Sequence, residues 1–246
     1  MPGQQRHVAN GQRALVTGAT SGMGRAIAQQ LAADGLHVIV HGRDAGRGAQ
    51  VVDGIESAGG RASFAAADLA DPAAIVRLAA TAGEIDVLVN NAGFSWFGAT
   101  ADLEPERFDA LFASNVRAPY FLVAALAPGM AARGGGSIIN VSSMAGRIGL
   151  APAAAYGATK GALESLTRAW AAEFSPSGVR VNAVAAGPVY TDGAASERTT
   201  ALGATTLLGR AGSTAEIAAL VGFLASPRAS YITGAVLAAD GGRTAI

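Results

Sequence analysis

The stretch VTGATSGMGRAIA, residues 16–28, places Gly18, Gly22 and Gly24 where an apolar run, ALVTG (14–18), gives way to an amphipathic helical pattern, MGRAIAQQLAADG. A strand that turns through glycines into a helix brings backbone N–H groups and the positive end of the helix together, and that pair of features holds a phosphate. Thr20, Ser21 and Met23 complete the turn. The spacing is G-x3-G-x-G rather than the more familiar G-x-G-x-x-G, so an ordinary tight strand-to-helix turn is the alternative reading.

Working outward, the alternation repeats. HVIVHG (37–42), RASFAAAD (61–68), DVLVNNAG (86–93), GSIINVSS (136–143), VRVNAVAAG (179–187) and GAVLAADGG (234–242) are short apolar runs. Helical patterns lie between them: one through Ala58, one opened by Asp71 as cap and Pro72 at the first position, one from Pro105 to Met130, one over 153–174 and one over 214–226. Strands apolar on both faces, separated by helices, predict an α/β fold with a doubly wound parallel sheet and helices on both faces. Residues 1–12 read as a tail and 13–246 as one domain. The small, polar, Gly-rich segment 190–213 has no clear period and is expected to be a lid over a site.

Composition narrows the functions. The chain has 246 residues, 50% hydrophobic and 15% charged, a formal net charge of zero and no cysteine. These values suit a single large soluble domain and exclude disulfides, thiol nucleophiles and zinc–thiolate sites. No basic face points to nucleic acid. The first residues carry no apolar signal core, and the stretch APYFLVAALAPGM reads as too short to span a membrane, so a cytoplasmic location is the expectation. The three histidines stand at 7, 37 and 41, none near the later strand ends where a Ser-His-Asp hydrolase would need one. No His or carboxylate cluster has metal spacing.

Two cations stand out. Positions 41–43 at the end of the second strand are His41, Gly42 and Arg43, with no acidic residue there to bond an adenosine ribose. Arg43 matches a 2′-phosphate bidentately and favours NADP(H). Asp44 beside it leaves NAD(H) open, unless that carboxylate only caps the next helix. The other cation is Lys160, the only lysine among 18 basic residues, four after Tyr156. Residues i and i+4 share a helix face. A charge about 5 Å from the phenol, at an effective dielectric of about 20, favours phenolate by roughly 3 kcal/mol, or about two pKa units. A compact ammonium does this where a planar guanidinium does not fit. Ser142 and Ser143 close a strand on the same sheet edge.

Taken together, TGATSGMG, NNAG, Asn115, Ser143, YGATK and DGG, in this order from about Arg13 to Gly242, resemble the short-chain dehydrogenase/reductase family, nearest to its 3-oxoacyl-carrier-protein reductase-like members. The resemblance implies a single Rossmann-like domain with a seven-stranded parallel sheet, an NAD(P) cofactor and a carbonyl or secondary-alcohol substrate. It implies that Tyr156 exchanges the proton and Ser143 bonds the substrate oxygen. Lys160 lowers the Tyr156 pKa and bonds the nicotinamide ribose, and Asn115 supports a water-linked proton path. Asn90, Asn91, Ala92 and Gly93 would line the cofactor, Asp68 and Leu69 would meet adenine, and Gly187, Val189 and Thr191 would border the nicotinamide. Phe94, Trp96, Met144, Arg147, Leu150 and Tyr190 are expected as substrate walls, with Phe94 and Trp96 equally readable as loop packing. Ala186-Gly187 stands where the family often has Pro-Gly, and Ser21 stands where many NADP-preferring members carry a base. The family resemblance also implies a homotetramer or homodimer through the 105–130 and 153–174 helices, with Ala-rich faces around Trp170. The alternatives are an NAD-dependent alcohol dehydrogenase working oxidatively and a non-catalytic dinucleotide sensor. The near-neutral face RAWAAEF argues against docking an acyl carrier.

Overall fold

The computed structural model describes residues 11–192 and 196–246. Most of the expected tail, and residues 193–195 of the expected lid, lie outside the described residues. The order is β1 (Arg13–Val16), α1 (Gly22–Ala33), β2 (His37–Gly42), α2 (Ala45–Ser57), β3 (Arg61–Ala66), α3 (Pro72–Ala82), β4 (Val87–Asn90), α4 (Pro105–Phe112), α5 (Ala118–Ala132), β5 (Gly136–Ser143), α6 (Ala154–Phe174), β6 (Val179–Ala186), β7 (Val189–Tyr190), α7 (Ser196–Gly203), β8 (Gly212–Ser213), α8 (Thr214–Ala225) and β9 (Val236–Ala239). Seven strands form one sheet in the order β3-β2-β1-β4-β5-β6-β9, every neighbouring pair parallel. The order reverses between β1 and β4, and a crevice opens there at the carboxyl ends of the strands.

Strand period builds two cores. Val16, Val38, Val40, Val89, Ile139 and Val141 face α1, α2 and α8, where Ile27, Leu31, Val51, Ile217 and Val221 meet them. Leu15, Ile39, Leu88, Ile138 and Val181 face α3, α5 and α6, against Ile75, Leu78, Leu122, Met130, Leu163 and Trp170. Each fully buried aliphatic side chain contributes about 1.5–3 kcal/mol. Hydrophobic burial on both faces explains why the sequence shows apolar runs instead of apolar–polar alternation.

Pairing stops short of the expected strand ends. The ladder ends at Val16, Ala66, Asn90 and Ala239, and the residues just beyond leave it to form loops at the carboxyl edge. Those loops carry the site.

Two expectations change. Segment 190–213 is not patternless: it holds α7, and β7 pairs with β8 in a small parallel ribbon. The apolar stretch around residue 120, which reads as too short to span a membrane, belongs to a longer helical run. Pro119 falls in the first turn of α5 and Pro128 stays inside the helix. The continuous helical run Pro105–Ala132 is long and apolar enough to cross a membrane by length and composition. Its Leu122, Val123, Ala127 and Met130 are fully buried in the protein core. Between α4 and α5 the chain makes a π-helical turn, Ala113–Arg117, which contains Asn115. Such turns concentrate at functional sites because the extra residue re-aims side chains.

Candidate active site

The glycine turn is built by contact. Gly18 (φ +63°) and Gly22 (φ +52°) adopt left-handed backbone that side chains disfavour, and a Cβ on Gly18 would lie 2.9 Å from the Ala92 Cα. A Cβ on Gly24 would collide with the Gly18 carbonyl and the Asn91 amide. Asn91 fastens the turn, its Nδ2 donating to the Thr17 and Gly18 carbonyls at 2.8 and 3.2 Å. Thr17 Oγ1 accepts from the backbone N–H of Asn91 and Ala92, both at 3.0 Å. A cleft of about 590 Å³ lies over this turn. Its lining brings together the expected Gly18, Thr20, Ser21, Gly22, Met23, Gly24, Arg43, Asp68, Leu69, Asn91, Ala92, Gly93 and Thr191. Gly24→Ala is predicted to weaken dinucleotide affinity at least tenfold without unfolding the sheet. Fluorescence titration alongside circular dichroism checks this.

Two residues in this cleft escaped sequence reasoning. His41 is buried, its Nδ1 accepting from the Gly18 N–H at 3.2 Å while Nε2 faces the Ala67 carbonyl at 3.2 Å. Burial holds its pKa below the ordinary histidine value, against the Ala67 bond and Asp68, which raise it. The neutral ring therefore supports the turn from behind. His41, two residues before the expected contact Arg43, gave no sequence signal of its own. Arg47 also lines the cleft. Asp44 is committed to α2, where its Oδ1 caps Arg47 N at 3.0 Å and its Oδ2 pairs with Arg47 Nε at 3.2 Å.

The second cluster forms where β5 meets α6. Close approach is possible because Gly157 lies against the Ala145 carbonyl, 2.6 Å from its would-be Cβ, and Gly146 lies against the Lys160–Gly161 backbone at 2.9 Å. Ser142 and Ser143 then point to opposite faces of β5. Ser142 Oγ is buried and donates to Glu164 Oε1 at 3.0 Å. Ser143 Oγ accepts from Ala145 N at 3.2 Å and reaches the Tyr156 phenol. Lys160 is buried, its Nζ donating to the Val141 carbonyl at 2.8 Å and standing 5.7 Å from the centre of the Tyr156 ring.

The resemblance implies that Lys160 lowers the Tyr156 pKa. Here burial raises it above the ordinary phenol value, and only the Ser143 bond pulls it down. Burial also depresses Lys160, to about 8. Desolvation is the largest cause for both groups, because charging either one in this low-polarity setting is costly. Tyr156 is therefore a neutral phenol at pH 7.

Asn115 joins the two clusters. Its Nδ2 donates to the Phe94 carbonyl and to Thr159 Oγ1, both at 3.0 Å, and its Oδ1 accepts from Phe94 N at 3.1 Å. Thr159 Oγ1 in turn donates to the Tyr156 carbonyl at 2.7 Å. A Cβ on Gly93 would sit 2.7 Å from Asn115 Oδ1. Asn90 instead enters a buried chain with Asn140 and Thr167, away from the cleft lining.

Among the expected substrate walls, Phe94 is partly exposed at the cleft and Met144 is buried in the turn after Ser143. Trp96 folds over Gly98, 2.5 Å from its would-be Cβ. Arg147 Nε lies 3.8 Å from Glu164, Leu150 accepts the Ala153 N–H at 2.7 Å, and the exposed Tyr190 hydroxyl meets Thr200 Oγ1 at 2.9 Å. Gly187 packs against Asp240, whose Cα would lie 2.5 Å from an added Cβ, and Val189 opens β7. Phe97, not singled out from sequence, packs on Tyr156 with ring centres 5.8 Å apart, and Arg198 of α7 stacks on Phe97 at 3.3 Å.

This geometry has close counterparts. A family model described as enoyl-(acyl carrier protein) reductase matches residues 18–244. Galactitol 2-dehydrogenase (L-tagatose-forming) of Cereibacter sphaeroides is 40% identical over 249 residues, covering 96% of each chain. Among solved structures, a short chain dehydrogenase/reductase family protein is 48% identical with a TM-score of 0.89, covering 96% of this chain and 98% of its own. The angucycline C-6 ketoreductase LanV with bound NADP is 37% identical with a TM-score of 0.91, covering 96% of both.

Proposed function

We propose, because the chain belongs to the short-chain dehydrogenase/reductase family of NAD(P)-dependent oxidoreductases, that it works as an NADPH-dependent reductase of ketones. The observation that carries this reading is the placement of the Tyr156 phenol beside Ser143 at the end of β5, with Lys160 Nζ 5.7 Å from the centre of its ring. A neutral phenol is loaded to donate a proton, which is what a carbonyl oxygen needs during reduction. The cradle fits a dinucleotide: its glycines stand where any Cβ would intrude on the turn, and the cleft runs on to Arg43 and Asp68. NADP(H), when bound, supplies or accepts the hydride.

The chain's own residues do the rest. The Ser143 hydroxyl donates to the substrate oxygen and holds it near the phenol. Tyr156 passes its proton to that oxygen as negative charge develops. Lys160, cationic below about pH 8, stabilises the phenolate left behind and can reach a ribose hydroxyl. The Asn115 amide is fully engaged with Phe94 and Thr159, so it positions the loop and α6 together, and any water-linked proton path would pass its main chain.

NADP(H) over NAD(H) rests on Arg43 in the cleft lining, with Asp44 withdrawn as a helix cap. Arg43→Ala is expected to raise the KM for NADPH by about 10- to 100-fold, as for a lost charge-assisted bond, and to change that for NADH by less than threefold. Equal losses would remove Arg43 from phosphate recognition. Exposed Tyr120 and Phe121 on α5, with Tyr120 packed near Trp170 of α6, support self-association through these helices.

The test of the reaction is NADPH and NADH oxidation at 340 nm across ketones, β-ketoesters, quinones and acyl thioesters. Turnover of one carbonyl class supports the reading. Turnover only of alcohols with NAD would favour the oxidative alternative, and none in either direction would leave only dinucleotide binding.

A further inference from the structure

Several cations around the catalytic cluster are paired or hydrogen-bonded among the described residues. Arg147 lies by Glu164, Arg25 pairs with Asp192 at 2.6 Å, Arg210 with Glu216 at 2.7 Å, and Lys160 donates to Val141. Arg198 has no carboxylate partner among the described residues. Its guanidinium carbon is 3.3 Å from the centre of the Phe97 ring, and that ring packs on Tyr156. Only one aromatic ring therefore separates this charge from the proton donor.

Stacking uses the face of the guanidinium. The N–H groups lie in its plane and stay available at the edge. A planar fork fixed in this way matches the two oxygens of a carboxylate. Phe97 covers one face of the exposed guanidinium and leaves its edge open to a ligand. α7 is tied back to β7 by the Tyr190–Thr200 hydroxyl contact, so the cation is carried on an anchored helix. One guanidinium balances one negative charge, whereas a phosphate monoester would leave a second charge uncompensated.

We propose that Arg198 is a specificity-determining residue that binds a carboxylate on the substrate. The substrate class is then a keto acid, or its hydroxy acid, in which the carboxylate is separate from the carbon reacting at Tyr156. This rests on the ketone-reductase reading, and the experiment is chosen to separate the two.

The probes are 4-oxopentanoate, 5-oxohexanoate and 6-oxoheptanoate, each paired with its methyl ester, together with dihydroxyacetone phosphate. The readout is kcat/KM with NADPH. For at least one chain length the acid should exceed its ester tenfold or more, and Arg198→Gln should bring that ratio near one by raising the KM of the acid. Arg198→Lys should keep part of the preference, since the charge survives and the planar stack does not. A second arm measures hexanoate against hexanamide binding to NADP⁺-loaded protein by calorimetry. Hexanoate should bind the wild type at least tenfold more tightly, and Arg198→Gln should abolish the difference.

Turnover of esters and acids alike, with no change in ratio on substitution, overturns the carboxylate site and leaves the reductase reading intact. Hexanoate binding that depends on Arg198, without turnover of any ketone, supports the anion site and sinks the reductase reading. Preference for dihydroxyacetone phosphate over every acid overturns the carboxylate assignment.

Discussion

Tyr156→Phe should lower kcat for ketone reduction by about 10³-fold, within the range typical of a lost general acid, while the Kd for NADPH changes less than about threefold. The substitution is close to a pure removal of the hydroxyl. The ring packs on Phe97 with centres 5.8 Å apart, and phenylalanine keeps that contact. Thr159 anchors to the main-chain carbonyl of residue 156, which is also kept. The loss should fall on kcat because the phenol acts when charge develops on the substrate oxygen, not when the substrate is merely held. The wild-type pH profile gives a second check with a definite sign. Burial raises the Tyr156 pKa above its ordinary 10.0, so the donor stays protonated through the neutral range. Reduction at saturating NADPH should show no loss assignable to Tyr156 until pH exceeds about 10, whereas oxidation of the matching alcohol should accelerate as pH rises. A reductive profile that collapsed near pH 7 would assign the proton to another group. Unchanged kcat in the variant would remove Tyr156 from the reaction.

Much of this was legible in the sequence because it depends on local pattern. GSIINVSS predicts β5 at its observed bounds, since both faces of that strand are buried and its buried polar residues Ser137, Asn140 and Ser142 are hydrogen-bonded inside the protein. The glycine turn was legible because Gly18 and Gly24 answer to backbone collisions that any side chain would cause. Tyr156 and Lys160 were legible because i and i+4 share a helix face and because the glycine turn, NNAG, Asn115 and Ser143 accompany them in order. What failed were properties set by the surroundings. The charge argument for Tyr156 counted one attraction and omitted desolvation, which depends on how β5 and α6 close together. His41 supports Gly18 across 23 positions of sequence, and Phe97 meets Tyr156 across a loop with no period, so neither left a pattern. Segment 190–213 hid α7 because small polar residues carry little amphipathic signal. The choice of Ser143 over Ser142 came from the family resemblance, and only the position of α6 shows that the Ser142 side chain meets Glu164.

Replacing the single lysine should separate its catalytic value from its cost to the fold. The ammonium stands 5.7 Å from the Tyr156 ring, where at an effective dielectric of about 20 it favours phenolate by roughly 3 kcal/mol. Lys160→Met should therefore raise the Tyr156 pKa further and slow alcohol oxidation by about 100-fold, because that direction needs phenolate. Stability should move the other way. Lys160 is depressed by burial from 10.5 to about 8, so between those values the unfolded chain binds more protons than the folded one. Stability of the cofactor-free wild type should rise as pH increases from 8 toward 10, at up to about 1.4 kcal/mol per pH unit. Below pH 8 both states are protonated and the penalty is fully present. Tyr156, with its raised pKa, opposes the trend only above about pH 10, where the unfolded chain ionises first. Thermal melts of the methionine variant should lack the rise from pH 8 to 10. Lys160→Arg should be inactive and less stable than wild type at every pH, since guanidinium cannot shed its proton and its wider fork must enter the space beside the Val141 carbonyl. If the arginine variant matched wild type in both rate and melting, a positive charge alone would suffice at this position. A loss in both would show that it takes a cation small enough to sit under the phenol and able to give up its charge.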